Sequence, residues 1–134
     1  MKKYEILEHT TDLKIRAFGK TKEELFLNML NGMFFGAGAK TENQEFTPRK
    51  IKIKSADEQS LLVDFLSEVL AQSDINNEAY LEVKFEKLAK TELEAKIFGV
   101  PVKSFGIEIK AVTYHGLEIK KNSGGWEATV LFDI

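Results

Sequence analysis

The chain has 134 residues, among them 10 Phe and no Cys, and a formal net charge of −2. That length suits one domain, here residues 1–134, and leaves little room for a second core. The lack of Cys excludes disulfides, thiolate catalysis and a Cys-type zinc site. The absence of a basic excess argues against direct RNA binding as the main task, because phosphate backbones draw basic domains.

An apolar share of 43% and a charged share of 30% are ordinary for a soluble globular protein. Met1-Lys2-Lys3-Tyr4-Glu5 leads directly into alternation and lacks the apolar run of a signal peptide. The longest uncharged stretch, 25–39, carries Asn28, Asn31, Gly32, Gly36 and Gly38 and is too short and polar to span a bilayer. The expectation is a cytoplasmic protein without membrane contact.

In chain order, residues 3–8 and 12–18 read as two strands around Glu8-His9-Thr10-Thr11. Thr21 and Glu24 make a capping box that opens a helix, with Phe26, Met29, Leu30 and Met33 at helical spacing. Gly36-Ala37-Gly38 ends it. Lys50 to Lys54 alternates as a strand, with Ile51 and Ile53 on one side. Ser55 and Glu58 form a second capping box ahead of the apolar face Leu61, Leu62, Phe65, Leu66 and Val69, closed by Asn76-Asn77.

Strict alternation then recurs through Leu81-Val83-Phe85, Leu93-Ala95-Ile97, Ile107-Ile109, Leu117-Ile119 and Trp126-Ala128-Val130-Phe132. Asn122-Ser123-Gly124-Gly125 is the clearest hairpin turn. Half-buried alternating strands with two helices predict an α+β domain, its strands mostly antiparallel in a sandwich-like arrangement.

The familiar catalytic patterns are missing: there is no Gly-x-Ser-x-Gly elbow, no phosphate loop ending in Lys-Ser/Thr and no His-Glu-x-x-His. What remains is a set of carboxylates in unusual places. Asp12 follows His9-Thr10-Thr11 at a strand-to-strand turn, and Asp133 sits one residue before the free carboxylate of Ile134. Anions that close repel, and a divalent cation held by hard oxygens would relieve them. On spacing alone, the ordinary reading stands beside this one: Asp12 as a turn residue and Asp133 as a solvated tail. His9 then reads as a turn hydrogen-bonder, His115 as a strand end, and Lys110 as a cross-strand ion-pair partner.

Tyr4-Glu5-Ile6-Leu7-Glu8-His9-Thr10-Thr11-Asp12 through Gly19-Lys20-Thr21 resembles the opening of the archease family. Glu108-Ile109-Lys110-Ala111-Val112-Thr113-Tyr114-His115 resembles its second signature, and Gly125-Trp126-Glu127-Ala128 through Phe132-Asp133-Ile134 its C-terminal strand. Leu61-Leu62-Val63-Asp64-Phe65-Leu66 is similar to its second helix. Any one of these segments is weak; their order and their span of nearly the whole chain make the combination specific.

The resemblance implies a protein activator of an RtcB-type RNA ligase, the enzyme of tRNA splicing and RNA repair that takes GMP from GTP onto a histidine. It implies faster guanylylation and multiple turnover, contact with RNA only through that partner, and no substrate chemistry of its own. It further implies a divalent metal ion (calcium, magnesium or manganese) held by Asp12, Asp133 and the terminal carboxylate of Ile134. Lys110 and His9 are its implied functional companions. Thr11 stands where the family usually has Ala, and residues 99–106 are shorter and less acidic than the family's loop, which weakens the case for a further ligand there. Two other functions remain open: a chaperone-like module with a different partner, and a metal-dependent phosphoesterase, which needs more ligands and a general base.

Overall fold

The computed structural model describes residues 2–8, 11–42 and 45–134. Ten elements follow one another: β1 (Tyr4–Glu8), β2 (Asp12–Gly19), α1 (Lys22–Gly36), β3 (Lys40–Thr41), β4 (Thr47–Lys54), α2 (Glu58–Asn76), β5 (Glu78–Leu88), β6 (Glu92–Ser104), β7 (Ala111–Asn122) and β8 (Gly125–Asp133). One sheet has the order β1-β2-β8-β7. In the other, β6 is flanked by β3 and β4 and also pairs with β5. Every pairing is antiparallel, so the α+β expectation holds.

The helices form a layer between the two sheets. α1 packs on β2 and on β5, while α2 packs on β7 and on the β4-β5-β6 sheet. One face of each sheet is therefore buried against helix and the other faces solvent, which is what the alternation required. Phe26 of α1, Phe65 of α2 and Phe85 of β5 meet with ring centroids 5.7 to 6.4 Å apart, joining both helices to the second sheet. Among the described residues no helix is long and apolar enough to cross a membrane.

The first capping box forms as expected. Thr21 Oγ1 accepts the Glu24 amide at 3.1 Å, and the Glu24 carboxylate reaches back to the Lys20 amide at 2.8 Å. The second does not. Asp57 caps α2, accepting the Ser60 amide at 2.7 Å, and Ser55 instead donates its hydroxyl to Asp64 at 2.6 Å. An ionised carboxylate beside exposed helix amides is favoured by their partial positive charge, which gives Asp57 the advantage over Ser55. Asn77 closes α2 in the left-handed region at φ 55°.

Two strand readings need correction. Leu81 is not on the apolar face of β5: a bulge between Tyr80 and Glu82 turns it outward, while Val83 and Phe85 pack inward. Residues 107–110 are not a strand either. The amides of Gly106 and Ile107 both donate to the Ala37 carbonyl beyond α1, and the Lys110 amide donates to the Asp133 carbonyl. With its amides committed to two other elements, this segment bridges the sheets instead of extending one.

A half-buried ion pair locks the end of α2 to the second sheet. Glu78 is 7% exposed. It receives both Arg49 Nε at 2.7 Å and Nη2 at 3.1 Å, and the fully buried Tyr80 hydroxyl donates to it at 2.8 Å. Ser73 Oγ of α2 donates to the Glu78 carbonyl at 2.6 Å. Gly99 of β6 leaves the space this needs, since a Cβ there would lie 2.4 Å from Glu78 Oε1. Burial pushes the Tyr80 phenol up to about 12. The Arg49 hydrogen bonds hold the Glu78 carboxyl below its ordinary 4.5.

Glu78→Gln keeps the shape and removes the charge, and is expected to lower stability by about 1.5–3 kcal/mol in urea unfolding, the range for a hydrogen bond to a charged group. Because the folded-state value of Glu78 is depressed, its stabilisation is fully present above 4.5 and is lost as pH falls through the folded value. Unfolding free energies measured from pH 6 down to pH 3 should therefore fall less steeply for Glu78→Gln than for the wild type.

Candidate functional site

β2 and β8 pair without interruption from Gly19 opposite Trp126 to Asp12 opposite Asp133. Leu13 and Phe132, one step in from the end, are fully buried. Side chains alternate along a strand, so Asp12 and Asp133 project together from the outward face. Residues directly opposite in an antiparallel pair have Cβ atoms about 4.5–5.5 Å apart. Asp12 is half-buried and Asp133 exposed.

The chain end and the second signature arrive at the same corner. Asp133 has Ala111 as its partner on the other side, and its carbonyl accepts the Lys110 amide at 2.7 Å. The backbone thus sets the exposed Lys110 beside the strand end that carries both carboxylates. Ile134 follows, half-buried, its side chain packed against the core. Asp12, Asp133, Ile134 and Lys110 are thereby brought to one place. His9 lies outside the described residues.

Like charges directly opposite on neighbouring strands destabilise a sheet. Neither Asp12 nor Asp133 forms an ion pair with a described residue. The two side chains offer hard oxygen donors, the kind an oxygen-seeking divalent cation takes. Among the described residues there is no group of three or more His, Cys, Asp or Glu side chains placed to hold a metal.

Two features near this corner escape a reading of the sequence. The first is an Asp64–Tyr114 contact. β7 advances from Thr113 to Glu118 while β8 moves only from Leu131 to Thr129, so the intervening residues of β7 bulge toward α2. There the Tyr114 hydroxyl, on a residue 57% exposed, donates to Asp64 Oδ1 at 2.6 Å and is held above its ordinary value of 10 by that bond. Ser55 Oγ occupies the other Asp64 oxygen. The available signal was an Asp inside the apolar run Leu61 to Leu66. His115 is exposed on the same bulge.

The second is a cleft of about 410 Å³ between the C-terminal ends of α1 and α2 and the segment 105–109. Met33, Phe34 and Leu70 line its apolar part, and Asp74 and Glu108 are among its polar lining residues. Its wall continues into Lys110, so cleft and carboxylate corner share one connecting segment.

Relatives carry the same architecture from end to end. A protein called archease from Methanosarcina barkeri is 38% identical over an alignment covering 99% of this chain and 97% of its own length. The archease of Pyrococcus abyssi is 35% identical with both chains fully covered. The solution structure of Methanobacterium thermoautotrophicum protein 1598 superposes with a TM-score of 0.72 at 30% identity, again covering both chains completely. The crystal structure of a Thermotoga maritima archease, described as a possible chaperone, has the same fold with a TM-score of 0.69 at 18% identity over 97% of this chain and 96% of that one. The model of the Archease protein family matches residues 4–134, a span that includes the Asp12 turn, the Lys110 segment and the Asp133 end alike, and the chain belongs to that family.

Proposed function

We propose that this protein is an accessory activator of an RtcB-type RNA-splicing and repair ligase, accelerating the ligase's GTP-dependent guanylylation and allowing it to turn over repeatedly. The observation that carries the reading is the pairing of Asp12 with Asp133 at the open end of the β2–β8 ladder. Two unneutralised carboxylates and a chain terminus at an exposed corner form an acidic tip able to enter a partner's nucleotide site. Asp12, Asp133 and the Ile134 carboxylate would hold the divalent metal. When bound, it would supply charge neutralisation of the kind phosphoryl transfer needs at its phosphate oxygens.

The chain's own residues have separate tasks in this scheme. Phe132 and Leu13, buried behind the tip, fix the direction of the two carboxylates. Lys110, held by the backbone bond to Asp133, offers a positive charge to phosphate oxygens approaching the same corner. His9 is a further partner-facing candidate. A chaperone-like action on a different protein is the second reading, favoured by the exposure of Phe35 and Ile75, at 68% and 77%.

The test is GTP-dependent guanylylation of the RtcB-type ligase from the same organism, with and without this protein. The wild type should accelerate the step. Asp12→Ala and Asp133→Ala should each lose at least tenfold of the acceleration while melting as the wild type does. Manganese titration of metal-stripped protein, followed by electron paramagnetic resonance, should show a site in the wild type that both variants lack. An unaffected rate with a ligase that is competent alone would overturn the activator reading.

A further inference from the structure

The solvent faces of the two sheets carry charge in different ways. At the middle of the β1-β2-β8 face, away from Asp12 and Asp133, opposite charges pair: Arg16 lies opposite Glu5 and bonds it at 3.2 Å, with Glu127 of β8 3.8 Å away on the other side. On the second sheet, the inward set of β4 and β6 is Ile51, Ile53, Leu93, Ala95 and Ile97. The residues between them face solvent. In register across three strands they give Pro48, Phe98 and Glu82; then Lys50, Lys96 and Lys84; then Lys52, Glu94 and Lys87; and last Lys54 with Glu92.

The second of these rows is three lysines abreast. Lys54 and Lys87 both pair with Glu92, at 3.6 Å in the case of Lys54. Lys50, Lys96 and Lys84 form no ion pair with any described residue. Lys50 and Lys84 are exposed and Lys96 is half-buried between them. Strands lie about 4.8 Å apart, so the row concentrates three ammonium groups on stems spanning about 10 Å. Like charges in direct cross-strand contact cost stability, and no ion pair among the described residues offsets that cost.

We propose that this face binds the phosphate backbone of a single-stranded nucleic acid. Three flexible ammonium donors suit successive phosphates as point charges. Phe98, half-buried in the adjoining row next to Lys96, presents a ring for a base to lie against, a feature that nucleic-acid grooves use and an acidic peptide does not. Glu82, Glu94 and Glu92 share the face with six lysines, so it keeps a positive excess that the overall charge of −2 does not show. The inference goes beyond the ligase reading and stands without it.

The experiment is fluorescence anisotropy of a labelled 15-mer oligouridylate with the full chain, in EDTA, from 25 to 200 mM NaCl. EDTA removes any metal bridge at the acidic corner. Three phosphate contacts on a single strand predict a salt slope of about −2, hence a loss of roughly 20-fold in affinity between 50 and 200 mM. The Lys50→Gln/Lys84→Gln/Lys96→Gln variant should bind at least tenfold more weakly at 25 mM salt and should melt no lower than the wild type. Phe98→Leu should weaken binding without changing the slope. Equal binding of oligothymidylate supports the backbone chemistry proposed. Wild-type binding that the triple variant retains, no binding at millimolar protein, or displacement by polyglutamate as effective as by oligouridylate would each overturn it.

Discussion

Everything at the acidic corner depends on the register of β2 against β8. These strands are neighbours at the centre of the first sheet, and their ladder runs unbroken from Gly19 and Trp126 to Asp12 and Asp133. Alternation ties each outward pair to the inward pairs beside it: if Leu13 and Phe132 are buried, Asp12 and Asp133 cannot be. A slip of one residue would send the buried set of the strand that moved into water, Leu13, Ile15 and Ala17 for β2 or Ala128, Val130 and Phe132 for β8. The core therefore enforces the close approach of two carboxylates that would otherwise separate. The energy that holds them together comes from apolar burial, not from any attraction at the corner.

Gly125 and Gly19 guard the other end of that ladder. A Cβ on Gly125 would lie 2.4 Å from the Gly19 carbonyl oxygen, and Gly125 adopts φ 132°, a conformation that favours glycine. The turn that launches β8 is thus fixed by a close backbone approach. The second sheet is anchored in a different way, by Glu78 between Arg49 and Tyr80 beside the C-terminal turn of α2. The segment 105–110 joins the two systems through the Ala37 and Asp133 carbonyls.

Most of the fold could be read from residue pattern alone, because alternating strands and capped helices are local properties. Thr21 and Glu24 located the start of α1, and Asn122 to Gly125 located the last hairpin. The misreadings share a cause. Ile107 and Ile109 alternate as a strand would, but their neighbours' amides answer to α1 and β8, a long-range demand that no window of sequence contains. Leu81 obeyed the period until a bulge shifted it. For the site, the resemblance singled out Asp12, Asp133 and Lys110, while their convergence needed the strand order β2-β8-β7. Tyr114 and Asp64, 50 residues apart, were invisible for the same reason.

Net charge does not say where the charges lie. A value of −2 describes a sum, whereas binding depends on where each sign sits. The acidic corner belongs to the outward face of the first sheet and the lysine row to the outward face of the second, with the helix layer between them. Opposite faces of a sandwich look in opposite directions. If the acidic end enters a partner's nucleotide site, the lysines are left free on the far side. Had the two sets shared a face, they would have neutralised each other as Arg16 does Glu5. Separating them across the helix layer allows a small, nearly neutral chain to keep both an anionic and a cationic surface.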